Sequence, residues 1–573
     1  MKHPRGGGFT RANPLSNLPH DVENNWHSSK QTDLFNQQKL GSSLTLAEVE
    51  KESKEYLLQG KFTEYLQLLQ SISQKDFTRF PILGLYKATA MLFSEYPKHH
   101  IEEVIGKVEK DTHQNNLKGE ITALQALIQS YTGDPELGIQ LSKKALPLIA
   151  SQNTFFSNLV ERNLGIAYTI KSDLHNANIW LERLLMSSLQ LEDWGGVLAA
   201  YNYLTFVRKI QGRLREAGVI YKKALSFIET HELELTPHGI KILAGYAHLL
   251  LQWHRTDEAK TYCQRAIQYA KQTDILYAYT AYQHLSEAYV QEKDIHNALS
   301  AIHELRNISL GRDDLYHQIH LRHTRAVEAR IQLEAGRIEN AFAWLVSSEF
   351  DQLSHGALAA RYGYELGYVL PIAARVYMAK GMIDASISLL NSIIPKFLNQ
   401  GANSFLIRAM VALSVAYHTN GQVQKAMRAL LKAMALGAPE NNIGDFIILG
   451  HHLMPLLYGM KKARLETEFS SKLLSILSNS KIPNPAAGSK VTHIDPLSQR
   501  EIDVLELIAQ GMTNREIGVS LFLSANTIKS HSINIYRKLD VNNRGQAVSK
   551  ARLLGILPTK TPAQLEDLIS MST

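Results

Sequence analysis

The 573-residue chain contains one cysteine, Cys263. No internal disulfide can form, and zinc sites built on cysteine pairs are excluded. No apolar stretch approaches the roughly 18 residues that mark a membrane-crossing helix. The start, MKHPRGGGFTRANP, has no apolar segment of the kind that opens a secretory signal. A soluble protein of the reducing cytoplasm, without membrane contact, is the expectation. No GxxxxGK[ST] occurs, and Gly6-Gly7-Gly8 lies among polar residues, so no nucleotide cradle is expected. His231-Glu232 starts an HExxH pattern, but Leu233, Glu234 and Leu235 follow without the second histidine, and Pro237 indicates a loop. The adjacent pairs His99-His100 and His451-His452 diverge by about 100° on a helix and do not readily share an ion. Cys263, between Tyr262 and Gln264, reads as a small core residue and not as a reactive thiol. No catalytic residue, metal or cofactor is therefore assigned, and an enzyme is not expected.

The chain is 45% apolar and 20% charged, ample for several cores. A net charge of +7 and a pI near 9.0 suit a polyanionic partner, although such a charge spread over this length says little until it is localised. Residues 1–45 are polar, with no helical or strand period, and read as a disordered lead. From 46 to 436 the sequence repeats itself in the phrases GDPELG, SDLHNA, GRLREA, HRTDEA, KDIHNA, GRIENA, MIDA and GQVQKA. Each phrase closes on a small anchor: Gly138, Ala177, Ala217, Ala259, Ala298, Ala341, Ala385 and Ala426, spaced by 39 to 44 residues. A glycine stands five residues before several anchors, at Gly133, Gly212, Gly336 and Gly421, and likewise at Gly60 before Tyr65. Glycine there can take the left-handed conformation that stops one helix before the next begins. The unit is a helical hairpin whose first helix carries an aromatic, as at Ala167-Tyr168, Ala288-Tyr289 and Ala416-Tyr417. One hairpin cannot bury its apolar face alone, so about ten must stack into a solenoid with a concave surface. Residues 437–480 read as closing helices. KIPNPAAGSK sits in a linker, 481–493, that would reach about 20 Å.

Residues 494–557 carry their helix boundaries in their chemistry. Ser498 with Glu501 and Thr513 with Glu516 are capping boxes, each flanked by an apolar pair, Leu497/Ile502 and Met512/Ile517. Gly511 ends the first helix, and Ser524 caps a third that runs to about Lys538. A fourth helix starts near Asn542 or Asn543 and ends by Gly555, before a tail at 558–573. At 3.6 residues per turn Ile528, Ser532, Ile535 and Leu539 share the packing face of the third helix. Asn526, Lys529, Ser530 and Ile533 fall on the opposite face as candidates for base edges. Ser524, Thr527, His531, Arg537, Lys538 and Arg544 flank it as candidates for phosphate. Eight Lys and Arg against five Asp and Glu in residues 496–557 favour a polyanion. Apolar residues at Val548, Ala551 and Leu554 suggest a dimer contact on the fourth helix.

This segment resembles the DNA-binding domain of the LuxR family, in its MalT-like branch. Arg500, Glu501, Val504, Gly511, Asn514, Glu516, Ile517, Thr527, Ile528, Lys529, His531 and Leu539 carry the match. The resemblance implies a four-helix helix-turn-helix domain that binds promoter DNA as a dimer or higher oligomer, contacts RNA polymerase and activates transcription in a bacterium more often than it represses it. Ile533 departs from it, since many members have Lys or Arg there. The repeats resemble tetratricopeptide repeats of more than the usual length, as in MalT-like sensor regions, and QGRLREAGVIYKKAL at 211–225 is similar to that family's phrase. MalT-like proteins usually open with a nucleotide-binding module, which is not found here. The fold expected is all-α, a tetratricopeptide-like superhelix followed by the helix-turn-helix domain. Its function is that of a DNA-binding regulator whose repeats sense a small ligand or a partner protein. The alternative is a repeat scaffold that sequesters another regulator and touches DNA only non-specifically. Trp180, Trp194, Trp253 and Trp344 are candidates for an effector surface on the repeats, with interhelix packing as the competing role.

Overall fold

The structure, a computed structural model, describes residues 46–72, 74–94, 96–111, 117–131, 134–149, 154–309, 315–348, 366–479, 497, 499–521, 523–539, 541, 543–553 and 557. The polar lead, Gly133, the linker, Ser498, Asn542, Leu554 and the tail lie outside the described residues. By contacts the chain divides into Met1–Glu52 and Ser53–Thr573, and the features below belong to the second unit.

Among the described residues every regular element is a helix. Helices pair along the chain as antiparallel hairpins, among them Thr154–Ile170 with Leu174–Gln190, Trp194–Ile210 with Leu214–His231, Pro237–Gln252 with Thr256–Gln272, and Asn403–Thr419 with Val423–Gly437. Each second helix opens on a turn in which the anchor's N–H donates to the carbonyl four residues back, as from Ala177 to Asp173, Ala217 to Arg213, Ala259 to Arg255 and Ala426 to Gln422. These anchors are fully buried because the two helices cross there. A Cβ on Gly138 would stand 3.0 Å from the Ala126 carbonyl oxygen of the preceding helix, which leaves no room for a larger residue. In the hairpin Leu366–Ala379 with Ile383–Asn399 the register differs from the expected one. Ser386, not Ala385, occupies the anchor position, with its N–H on the Met382 carbonyl at 3.2 Å and its side chain fully buried. The phrase MIDA offered an alanine one residue early.

Between the helices of a hairpin the backbone passes through the left-handed region, at Gly60, Gly212, Gly336 and Gly421 with φ of 73° to 74°. Ser172, His254 and Lys293 occupy the same place at 59°, 59° and 63°. A side chain there costs about 1 kcal/mol relative to glycine, which stacking of the hairpins offsets.

First helices of successive hairpins touch one another and form the inner layer. That layer also meets itself one superhelical turn later, where Trp194–Ile210 packs on Asn403–Thr419. Leu204, Val207 and Ile210 share one core with Phe405, Leu406 and Phe446. Ile443 donates its N–H to the Gln252 carbonyl at 2.8 Å, and Trp253 Nε1 donates to the Glu440 carbonyl at 3.2 Å. The concave side thus holds a cavity between packed helices, and residues of the short helix Gly444–Ile447 line it.

The C-terminal domain comprises the helices Gln499–Ala509, Asn514–Leu521, Ala525–Leu539 and Arg544–Leu553. Its core is small: Val504, Leu505, Ile517, Ile528, Ile535, Leu539 and Ala547 are fully buried. Burying each of the larger aliphatic side chains stabilises the domain by about 1.5–3 kcal/mol.

Candidate nucleic-acid interface and repeat interior

The third helix of the C-terminal domain has two sharply different sides. Ile528, Ser532, Ile535 and Leu539 are buried, as the helical period requires. Asn526, Lys529, Ser530, Ile533, Asn534 and Arg537 are exposed. Lys529 makes no hydrogen bond or ion pair with a described residue, and Ile533 is 56% exposed. Asn534 was not singled out from the sequence, although it lies four residues after Ser530 and so on the same stripe.

Caps hold this helix in place. Ser524 Oγ accepts the Thr527 N–H at 3.0 Å and lies 2.7 Å from Thr527 Oγ1. On the preceding helix Thr513 N–H donates to Glu516 Oε2 at 2.7 Å, while Glu516 N–H reaches back to Thr513 Oγ1 at 3.4 Å. The hydrogen bonds from the Thr513 backbone and side chain hold the Glu516 carboxyl below its usual pKa. Asn543 caps the fourth helix by accepting the Gln546 N–H at 2.9 Å.

Two of the basic residues expected at phosphate have internal partners. Lys538 Nζ pairs with the nearly buried Glu501 at 2.8 Å. Arg544 donates to the carbonyls of Ile508, at 3.1 Å, and Met512, tying the fourth helix to the end of the first. Neither partnership is local enough to read from spacing. One dimer candidate needs correction: Ala551 is fully buried in the domain's own core, so its methyl cannot face a second copy. Val548 is half-buried against that core.

In the repeats, Trp194, Trp253 and Trp344 pack against the helical cores, while Trp180 is half-buried beside Arg183 of its own helix. Trp194 lies edge-on to Phe227 with ring centroids 5.4 Å apart. Trp253 fills the space beside Gly218, where a Cβ would come within 2.6 Å of its ring. Trp344 packs on the main core, and Arg183 stands 5.3 Å from the Trp180 ring. None of the four lines the interior cavity.

What lines it is charged. The cavity holds about 550 Å³ and is bounded by Lys293, Arg330, Arg375 and Arg408 with Glu287, Glu334 and Asp445, over apolar walls that include Pro371, Ile372 and Ile447. Arg408 pairs with Asp445 at 2.5 Å, and Ser404 and Asn442 donate to the same carboxylate. Glu334 takes Arg375 at 2.6 Å and Lys293 at 3.2 Å. Burial would raise the Glu334 carboxyl, but the charges of Arg375 and Lys293 hold it at about 2. Glu287 sits between His284 at 3.1 Å and Arg330 at 3.5 Å and is held at about 2 against its own desolvation. Behind them Lys209 Nζ lies 3.3 Å from His248 Nδ1. Burial, reinforced by Arg408, lowers that lysine to about 7. The ligand atoms of His248, His284 and Glu287 lie within 4.8 Å of one another, close enough for a cation. Lys209, Arg330 and Arg408 face the same groups and repel one. Sequence reasoning missed this interior, because its members come from successive hairpins and nothing in their local spacing says that they turn inward.

No helix among the described residues is long and apolar enough to cross a membrane. Residues 119–463 match the model of the MalT-like TPR region, and residues 495–551 match that of bacterial regulatory proteins, luxR family. The HTH-type transcriptional regulator MalT of Cronobacter sakazakii (strain ATCC BAA-894) is 24% identical over an alignment covering 85% of this chain and 55% of that protein. The chain thus spans about half the length of this curated relative. A Signal Transduction ATPase with Numerous Domains (STAND) protein with a tetratricopeptide repeat sensor, from Pyrococcus horikoshii, superposes with a TM-score of 0.36 at 14% identity, covering 76% of this chain and 68% of that one. A chain of the APC/C hetero-tetramer Cut9-Hcn1 does so at 0.32 and 13%, covering 76% and 90%. Such loose superpositions carry no argument about function. The two matched regions together assign the molecule: the chain belongs to the MalT-like TPR family and carries a luxR-family DNA-binding domain at residues 495–551.

Proposed function

We propose that this transcription regulator reads specific promoter DNA with the helix Ala525–Leu539 and that its repeats govern this output in response to a ligand in their interior. One observation carries the first part: the exposed side of that helix presents Asn526, Lys529, Ser530, Ile533 and Asn534 in a single stripe, while its other side is locked into the domain core. In the major groove, Lys529 would donate to a guanine edge, the amides would pair with adenine, and Ile533 would meet a thymine methyl. Thr527, His531 and Arg537 flank the stripe for phosphate contact, with Ser524 beside them at the helix start. Lys538 and Arg544 act there through their charge while bonded within the domain. Binding as a homodimer, with activation through RNA polymerase, completes the reading.

A competition gel shift with operator fragments selected from genomic DNA tests it. The full-length chain should keep its operator in a large excess of random DNA. Lys529→Ala should lose about 1–3 kcal/mol of specific affinity with non-specific binding nearly retained. Equal competition by random DNA would leave a repeat scaffold with incidental DNA contact.

A further inference from the structure

The interior cavity is unbalanced in charge. Lys293, Arg330, Arg375 and Arg408 face Glu287, Glu334 and Asp445, with Lys209 behind them, and at the rim Asp257 and Glu292 are both bridged by Lys260. Four cations against three carboxylates leave an excess of one positive charge among the packed helices, and Lys209, lowered to about 7, adds a second only when protonated. Two donors in the same place are idle: Arg375 Nη1 and Arg330 Nε are buried and find no hydrogen-bond partner among the described residues. A buried N–H without an acceptor is disfavoured and gains from any acceptor that enters. Guanidinium groups match carboxylate and phosphate oxygens in pairs. The lowered Lys209 points the same way, because the repulsion from Arg408 that helps to deprotonate it would be relieved by a negative charge between them. The volume, about 550 Å³, suits a metabolite of modest size.

We propose that this cavity binds a small organic dianion, a dicarboxylate or a phosphomonoester, held chiefly by Arg375 and Arg330, and that this is the ligand class to which the repeats respond. The second clause rests on the sensing role proposed above, and the first does not. A dication would meet the surplus positive charge, and a neutral sugar would leave both idle donors in competition with the same unbalanced field.

Isothermal titration of the full-length protein with succinate and with glycerol 3-phosphate tests the site, with succinamide and glycerol as uncharged counterparts at matched ionic strength. Saturable binding of at least one dianion with a Kd below about 1 mM is expected, without measurable binding of the counterparts. Whether succinate or glycerol 3-phosphate binds decides between the two chemistries. Arg375→Gln should weaken binding by about tenfold or more, and Arg375→Lys by less. Should Arg375→Gln fail to fold, Lys293→Gln at the edge of the cavity serves instead, with a weaker loss in the same direction. Saturation by neither dianion, equal binding of the uncharged counterparts, or undiminished binding by the folded variant would each overturn the proposal. Operator retention measured in the same samples separates the two readings. Dianion binding that leaves DNA affinity unchanged removes the sensing role and keeps the site, whereas intact specific DNA binding with no dianion binding removes the site alone.

Discussion

The outer face of Ala525–Leu539 and the interior of the repeats both present basic side chains, but in opposite settings. Lys529 stands in solvent with no internal partner among the described residues, where its charge is screened within about 10 Å and can be used only against a dense polyanion brought into contact. Arg408, 8% exposed, is clamped on Asp445, itself 2% exposed, in surroundings where an unpaired charge is not tolerated. The same residue types therefore serve two kinds of recognition. An exposed stripe suits a large ligand whose shape fits a helix, and a buried, nearly balanced cluster suits a small one that completes it.

The largest test of this contrast is Arg408→Ala. It leaves Asp445 buried without its cation and should destabilise the repeat region by about 3–5 kcal/mol. All five tryptophans lie before residue 345, so fluorescence-detected urea unfolding reports that region without the C-terminal domain. A change under 1 kcal/mol would mean the pair is solvated and the interior open. Next comes pH. Burial holds His248 and His238 well below the usual histidine pKa. Folded they stay neutral, while the unfolded chain protonates them near 6.5. As pH falls below 6.5 the unfolded state takes up more protons and stability drops, by about 2 kcal/mol for each histidine and so about 4 kcal/mol for the two by pH 5. The fluorescence midpoint should fall accordingly, whereas the far-UV transition of the C-terminal domain, which buries no histidine among its described residues, should hold. Ser524→Ala removes the cap of the reading helix and should cost that domain about 1 kcal/mol in thermal unfolding. Smallest and opposite in sign is Glu232→Gly. Glu232 ends the helix Leu214–His231 at φ 55°, and glycine there should stabilise the repeats by about 0.5 kcal/mol. A loss in that variant would show that the Glu232 side chain contributes a contact that outweighs its backbone strain.

The same contrast explains what could be read from the chain alone. Caps, packing faces and the exposed stripe of the C-terminal domain depend on residues three or four apart, and Thr513/Glu516 and Ile528/Ser532/Ile535/Leu539 fall where their spacing places them. The hairpin anchors were legible for the same reason, with Ser386 the exception because a serine does not announce a close helix crossing. Ser172, His254 and Lys293 stand where other hairpins have glycine, so their turns had to be seen in the backbone. Lys538 with Glu501 and Arg544 with two carbonyls unite residues that no local spacing links, whereas the interior pairs Lys293–Glu334, Glu334–Arg375 and Arg408–Asp445 stand about one hairpin repeat apart, a spacing that does not by itself say which charged residues turn inward. Trp194, Trp253 and Trp344 pack against the cores, as the interhelix role expected of them from the sequence requires.

The central claim is that the exposed stripe reads sequence. Genomic footprinting of the full-length protein beside Lys529→Ala tests it most directly: the account predicts discrete protected sites that share a common motif and are lost in the variant. Uniform low coverage of the genome, or the same sites in both proteins, would contradict it.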